Sequence, residues 1–201
     1  MKIEIREEPL ASLVEYARIP IAFEVGQVLD VTVQGNGLAG ISISERRLKI
    51  PFTKDYDAMG GEGPTKWARL FDLSNWGFLV ARLEGRRVGG AAIAFNTAGV
   101  AILEDRKDLA VLWDIRVCPE ARGQGVGSEL FRAVEVWAKA RSCRQLKIET
   151  QNINVPACKF YARQGCVLGA VHRFAYPNLP DESQLLWYKN LANGAPTGYT
   201  V

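Results

Sequence analysis

Three glycines fall within five residues in Arg122-Gly-Gln-Gly-Val-Gly127, where an apolar stretch gives way to a helical period. Glycine removes the side chain where a backbone must turn sharply or approach a ligand closely. A helix opening there offers amide hydrogens with no acceptor inside the helix, and the positive end of its dipole. Such a terminus suits a pyrophosphate. A plain strand-to-helix turn is the bland alternative. Two other phosphate-binding patterns fail on spacing: no lysine follows as a Walker A loop requires, and Ser128 stands where a dinucleotide fingerprint needs glycine.

Candidates for acid–base work are few. His172 is the only histidine, so no metal site can be built on imidazoles. Proton transfer must fall chiefly on carboxylates, tyrosine, cysteine or lysine. Asp114 is isolated in the apolar run Leu109–Val117, and a carboxylate there is expensive to bury unless it faces a cleft or pairs with Arg116. Cys118, Cys143, Cys158 and Cys166 show no CxxC spacing, so they read as free, partly buried thiols.

Local patterns then say what positions these groups. Phe23–Val33 and Leu38–Ser44 read as strands around the hairpin signal Gln34-Gly-Asn-Gly37, and Trp76–Leu83 and Arg87–Phe95 as strands around Glu84-Gly-Arg86. Leu109–Val117 is a further strand. Leu130, Phe131, Val134 and Trp137-Ala138 recur at helical spacing, predicting a helix from Gly127 to Arg141. Gln145–Thr150 reads as a strand. Val155–Arg163 reads as a helix with Pro156 in its first turn and Gly165 as its stop. Val167–Ala175 and Gln184–Lys189 finish the sheet. Ile50–Pro64, rich in Gly, Pro and Asp, reads as a surface loop. This order indicates a mixed α/β (α+β) domain over 1–191, with a loose tail at 192–201.

Bulk properties narrow the class. The 201 residues are 48% hydrophobic and 23% charged, with a net charge of +3, which suits one globular domain with a sizeable core. Lys and Arg are scattered, giving nucleic-acid binding no support. The N-terminus lacks a signal-peptide core, and no apolar run nears the roughly 18 residues of a membrane span. A cytoplasmic protein without metal or membrane partner is expected. A homodimer is compatible with the sequence but not required by it.

The glycine turn, preceded by Val117-Cys-Pro119, resembles the Arg/Gln-x-x-Gly-x-Gly/Ala signature of the GNAT superfamily of N-acetyltransferases. Asn154-Val-Pro-Ala-Cys-Lys-Phe-Tyr-Ala-Arg-Gln-Gly165 resembles that superfamily's Asn-x-x-Ala-x-x-Phe-Tyr-x-x-x-Gly segment, in the expected order and distance. The resemblance covers about Trp76 to Leu191. It implies the GNAT fold: a mixed central sheet with a splayed parallel strand pair and flanking helices. It implies acetyl-CoA as cosubstrate, its pyrophosphate over Arg122, Gly123, Gln124, Gly125, Val126 and Gly127, and its pantetheine arm along Ile115, Arg116 and Val117. Asn154 resembles a cofactor-contacting asparagine. Tyr161 matches the tyrosine that protonates the coenzyme A sulfur; a phenol near pKa 10 is a reasonable donor to a thiolate near 8.5. Glu149 resembles the base of the enzymes that acetylate a ribosomal-protein alanine terminus, with Asp114 as rival base or as anchor for a substrate ammonium. Either acid could instead be a structural partner in an ion pair.

A closer resemblance to the streptothricin acetyltransferases lies in Leu112–Val117, Lys147–Cys158, Arg173-Phe-Ala-Tyr176 and Gln184–Tyr188, with Lys54-Asp-Tyr-Asp57 and Phe71–Trp76 upstream. Those enzymes acetylate an amine on the β-lysine arm of the antibiotic. A small cationic substrate calls for an acidic, aromatic pocket, for which Asp55, Tyr56, Asp57, Trp76, Trp113 and Asp114 are candidates. Acetylation of a protein N-terminus or lysine, or non-catalytic acyl-CoA binding, are the alternative functions.

Overall fold

Hydropathy patterning is realised as nine strands and four α-helices among residues 2–59 and 63–191, which the computed structural model describes. In chain order these are β1 (Ile3–Glu7), α1 (Leu13–Tyr16), β2 (Phe23–Val33), β3 (Ile41–Lys54), α2 (Trp67–Leu70), β4 (Gly77–Leu83) and β5 (Arg86–Phe95). Then follow β6 (Leu109–Val117), α3 (Val126–Ala140), β7 (Gln145–Gln151), α4 (Val155–Arg163), β8 (Val167–His172) and β9 (Gln184–Asn190). Hydrogen-bonded neighbours run β1-β4-β5-β6-β7-β9-β8, and β2 pairs with β3 in a separate ribbon. The pairs from β1 to β6 are antiparallel. The crossover through α3 makes β6 and β7 a parallel pair, so the sheet is mixed and the class α+β. The tail expected at 192–201 lies outside the described residues.

The chain divides into two compact units, one of residues 1–20, 61–147 and 188–201, the other of 21–60 and 148–187. In the first, α3 buries Val126, Leu130, Phe131, Val134, Trp137 and Ala138 against the antiparallel strands. Full burial of each large side chain contributes about 1.5–3 kcal/mol, which fixes the helix and the turn at its N-terminus. The β4–β5 turn uses Glu84 and Gly85, both left-handed at φ 52° and 79°, as a tight hairpin needs. Between β5 and β6 the register slips: Ala92 faces Asp114 while Ile93 faces Leu112, leaving Trp113 as a bulge. The Trp113 ring lies 5.3 Å from Phe71 and 5.2 Å from Trp76, within a core that also holds Tyr16, Trp67 and Phe78.

In the second unit β2 and β3 form an antiparallel ribbon with an irregularity between Val25 and Gln27. Asn152, just past β7, ties the unit together. Its backbone N–H and side-chain carbonyl bond Ser183, while its carbonyl and amide bond Leu29. The α4 helix is capped by Asn154, whose side chain accepts the Ala157 N–H at 3.2 Å, and stops before Gly165, φ +79°.

Most predicted elements lie within a residue or two of their expected bounds; the strand expected from Leu38 begins at Ile41, and there are three further differences. The loop expected over Ile50–Pro64 begins only after Lys54, because Phe52, Thr53 and Lys54 pair with Val25, Glu24 and Phe23. Pro51 is tolerated there on an edge strand, where no ladder N–H is needed. The last part of Val167–Ala175 leaves the sheet after His172. Strand β1 and the one-turn helices α1 and α2 were not expected; elements of four or five residues carry too little periodicity to read.

Candidate active site

The first unit holds the glycine turn. Strand β6 ends at Val117, a 3₁₀ turn spans Pro119–Ala121, and α3 begins after Gly125. Gly123 and Gly125 have φ of +76° and +85°, and a Cβ on either would project into open space. These glycines are required by backbone conformation, not by packing. Gly125 is the N-cap and brings no side chain to the terminus. The loop is braced from behind: Arg122 Nε donates to the Val117 carbonyl at 3.1 Å, and Gln124 Nε2 to that of Glu120 at 2.8 Å. The result is an exposed, pre-shaped helix terminus that fits an anion.

Asp114 and Arg116, two apart on β6, share one face and form a buried ion pair with side chains 7% and 2% exposed. Arg116 Nε lies 3.0 and 3.1 Å from the two carboxylate oxygens, and Nη2 2.9 Å from Oδ2. The Tyr16 hydroxyl donates to Asp114 Oδ1 at 2.6 Å, and Arg116 Nη1 reaches the Ile19 carbonyl at 3.2 Å. Gly90 permits this approach, since a Cβ there would lie 2.7 Å from the Tyr16 ring. Trp76 is buried, donating from Nε1 to Thr97 Oγ1 at 3.0 Å, while Trp113, Ile115 and Val117 are half-buried.

The second unit holds the other candidates. Glu149 and Gln151 project from one face of β7. The Tyr176 hydroxyl donates to Glu149 Oε1 at 2.6 Å and Gln184 Nε2 to Oε2 at 2.8 Å. Gln151 Nε2 donates to the Tyr176 oxygen at 2.8 Å, and the Tyr56 hydroxyl to Gln151 Oε1 at 2.6 Å. Lys54 bonds Glu182 in a buried pair, its ammonium 5.4 Å from the Tyr56 ring centroid. Asp55 and Asp57 lie beside Tyr56, the Asp55 carboxylate accepting the Asp57 N–H at 3.0 Å as in a turn. Tyr161 is buried on the inner face of α4 with Val155 and Cys158, 5.2 Å from the Phe160 ring.

Of the predicted residues, then, the structure brings Tyr56 into one hydrogen-bonded chain with Glu149 and joins Asp114 to Arg116. Sequence reading missed Tyr176, Gln151 and Gln184. Their only signal was membership of the segments that carry the closer resemblance; no local spacing marks them as partners.

Burial, reinforced by the Glu149 charge, pushes the Tyr176 hydroxyl well above the ordinary phenol range. Burial, then Glu182, Cys158 and Glu149, push Tyr56 the same way. Unfolded phenols titrate near pH 10. The folded chain holds these two protons to higher pH, so their stabilisation is complete below about pH 10 and lost as pH rises past it. Melting curves from pH 8 to 11 should show Tm falling above pH 10, less steeply in Tyr176→Phe. An equal slope in that variant would show that this phenol does not carry the effect.

The Acetyltransferase (GNAT) family model matches residues 49–166, more than half the chain. The chain belongs to the GNAT acetyltransferase family. Streptothricin acetyltransferase A of Bacillus subtilis (strain 168) is 36% identical over 152 residues, 72% of this chain and 77% of that protein. Streptothricin acetyltransferase of Escherichia coli is 29% identical over 193 residues, 94% and 95% of the two chains. A Bacillus anthracis protein solved in complex with acetyl coenzyme A superposes with a TM-score of 0.72 at 25% identity, covering 94% of this chain and 99% of that one. This GNAT acetyltransferase is an acetyl-CoA-dependent acyltransferase, and the open terminus at Gly125 suits an anionic cosubstrate. No helix among the described residues is long and apolar enough to cross a membrane.

Proposed function

We propose that this acetyltransferase moves the acetyl group of acetyl-CoA to a primary amine of a small cationic molecule, the β-lysine amine of streptothricin. The observation that carries the reading is Glu149. Its part-buried carboxylate is held by neutral donors and has no cationic partner among the described residues. A carboxylate so placed has both the charge to attract an ammonium and the lone pairs to take its proton. The similarity to streptothricin acetyltransferases, which spans 72% of this chain for one relative and 94% for another, supports the choice of acceptor.

Acetyl transfer requires a neutral amine, a polarised thioester carbonyl and a proton for the departing thiolate. Acetyl-CoA, when bound, supplies the acetyl group and the leaving sulfur. Backbone amides of Gly123–Gly127 and the exposed Arg122 hold the pyrophosphate in this reading, β6 backbone at Ile115–Val117 orients the arm, and Asn154 contacts the cosubstrate besides capping α4. Glu149 accepts the amine proton at a carboxylate oxygen, directly or through water, and the Tyr161 hydroxyl donates to the sulfur. Asp55, Tyr56 and Asp57 supply negative charge and an aromatic face for the cation. Asp114 is committed to Arg116 and Tyr16, and we assign it to the fold.

Thiol release from acetyl-CoA with streptothricin as acceptor tests the reading, with N-terminal and lysine peptides as competitors. Turnover on streptothricin well above that on peptides is expected. Turnover on peptides alone would move the substrate to a protein, and coenzyme A binding without turnover on any amine would make the chain a binding module. Tyr161→Phe should lower kcat by about 10²-fold with little change in coenzyme A affinity by calorimetry. Wild-type turnover would remove its role as acid.

A further inference from the structure

Hydrogen-bond direction in the second unit follows from Glu149 alone. An ionised carboxylate only accepts, so the Tyr176 hydroxyl, 2.6 Å from Oε1, must spend its one hydrogen there. Its oxygen can then only accept from Gln151, 2.8 Å away, so that side chain must present its NH₂ group. The Gln151 carbonyl therefore faces Tyr56, and the Tyr56 hydroxyl must donate to it at 2.6 Å. Every proton in the chain Tyr56–Gln151–Tyr176 points toward Glu149. Gln184 closes the other oxygen at 2.8 Å.

We infer that Tyr176 is a positioning residue for Glu149, its hydroxyl set by Gln151 and Tyr56 so that the carboxylate is held aimed at the amine. The inference rests on the role proposed for Glu149 above. Nothing local in the sequence sets this arrangement: Tyr176 lies in the irregular segment between β8 and β9, where successive turns join Leu179 N–H to the Tyr176 carbonyl and Glu182 N–H to that of Leu179. A half-buried tyrosine could pack its ring without a partner for its oxygen; here the oxygen both donates and accepts. Hydrogen bonds to the charged form of a carboxylate favour that form, so deleting one makes the group take up a proton more readily. Among the described residues, the titratable and charged groups acting on the two phenols are Glu149, the Lys54–Glu182 pair, Cys158 and, for Tyr176, Tyr56.

Tyr176→Phe keeps the ring and removes the hydroxyl. It should lower kcat for the amine about tenfold, leave coenzyme A affinity by calorimetry within about twofold, and move the acidic limb of the kcat/KM–pH profile to higher pH by roughly half a unit or more. Tyr56→Phe, one link further, should move the limb the same way by less. A residue acting through Glu149 has nothing to position once that carboxylate is gone, so Glu149→Gln/Tyr176→Phe should be no slower than Glu149→Gln alone. An unmoved acidic limb in Tyr176→Phe, whatever its rate or Tm, would reduce Tyr176 to a packing role. Multiplicative losses in the double variant would overturn the inference while leaving Glu149 as base. Wild-type turnover in Glu149→Gln would remove the base and, with it, this inference.

Discussion

Glu149→Gln should lower kcat for the amine acceptor by about 10²-fold or more, with coenzyme A affinity within about twofold of wild type. The glutamine amide has nearly the shape of the carboxylate but cannot take a proton from an ammonium. General-base contributions of this kind run to 10²–10⁴-fold. The variant should then react only with amine already neutral in solution. Its rate should rise with pH up to the amine's own pKa, so the acidic limb moves to higher pH. Part of the loss will be structural, because the new amide cannot accept from both Tyr176 and Gln184. The pH profile separates the two parts: local misfit lowers the rate at every pH, whereas loss of the base changes the slope. An unaltered profile would reassign the base. Measurement requires steady-state thiol release across pH 6–10 with acetyl-CoA saturating.

Asp114→Ala is expected to act on stability first. The Arg116 guanidinium is 2% exposed and takes its counter-charge from Asp114 through contacts of 2.9–3.1 Å. Breaking one side of a buried pair typically costs about 3–5 kcal/mol, because the remaining charge is left in a poorly solvating interior. The Tyr16 hydroxyl loses its acceptor at 2.6 Å in the same step. For a chain of this size each kcal/mol is worth about 2–4 °C in Tm, so a fall of roughly 10 °C is anticipated by differential scanning calorimetry. An anchor for substrate ammonium would behave differently, raising the amine KM while leaving Tm nearly unchanged. A Tm within about 2 °C of wild type, with KM increased, would return Asp114 to the substrate. Asp114→Asn should be milder, since its amide oxygen can still accept from Arg116 or Tyr16 while the charge is gone.

These two carboxylates mark the boundary of what primary structure can say. Each stands at or near the end of a strand next to one of the two motif segments, and both were credible bases by residue type. What separates them is the company they keep. Asp114 meets a guanidinium two positions along its own strand and a phenol 98 positions away. Glu149 meets Tyr176 and Gln184, 27 and 35 positions away, and both are neutral. Strand alternation alone makes residues two apart neighbours, so Asp114–Arg116 was a suggestible pair. No local rule connects Glu149 to Tyr176, because that contact depends on how the irregular segment after β8 folds back.

The same division holds for the scaffold. The glycine turn before α3, the Gln34–Gly37 and Glu84–Arg86 turns, the Asn154 cap and the Gly165 stop were all legible, because each follows from backbone sterics and hydrogen bonding within a few residues. Strand β3 ran further than composition suggested, since pairing with Phe23–Val25 outweighed the turn tendency around Pro51. Short-range chemistry, then, was enough to determine the α+β order and the open, glycine-capped helix terminus. Tertiary structure decided which acid is met by a cation and which by neutral donors, because desolvation makes a lone carboxylate costly and the groups that satisfy Glu149 lie far from it in sequence.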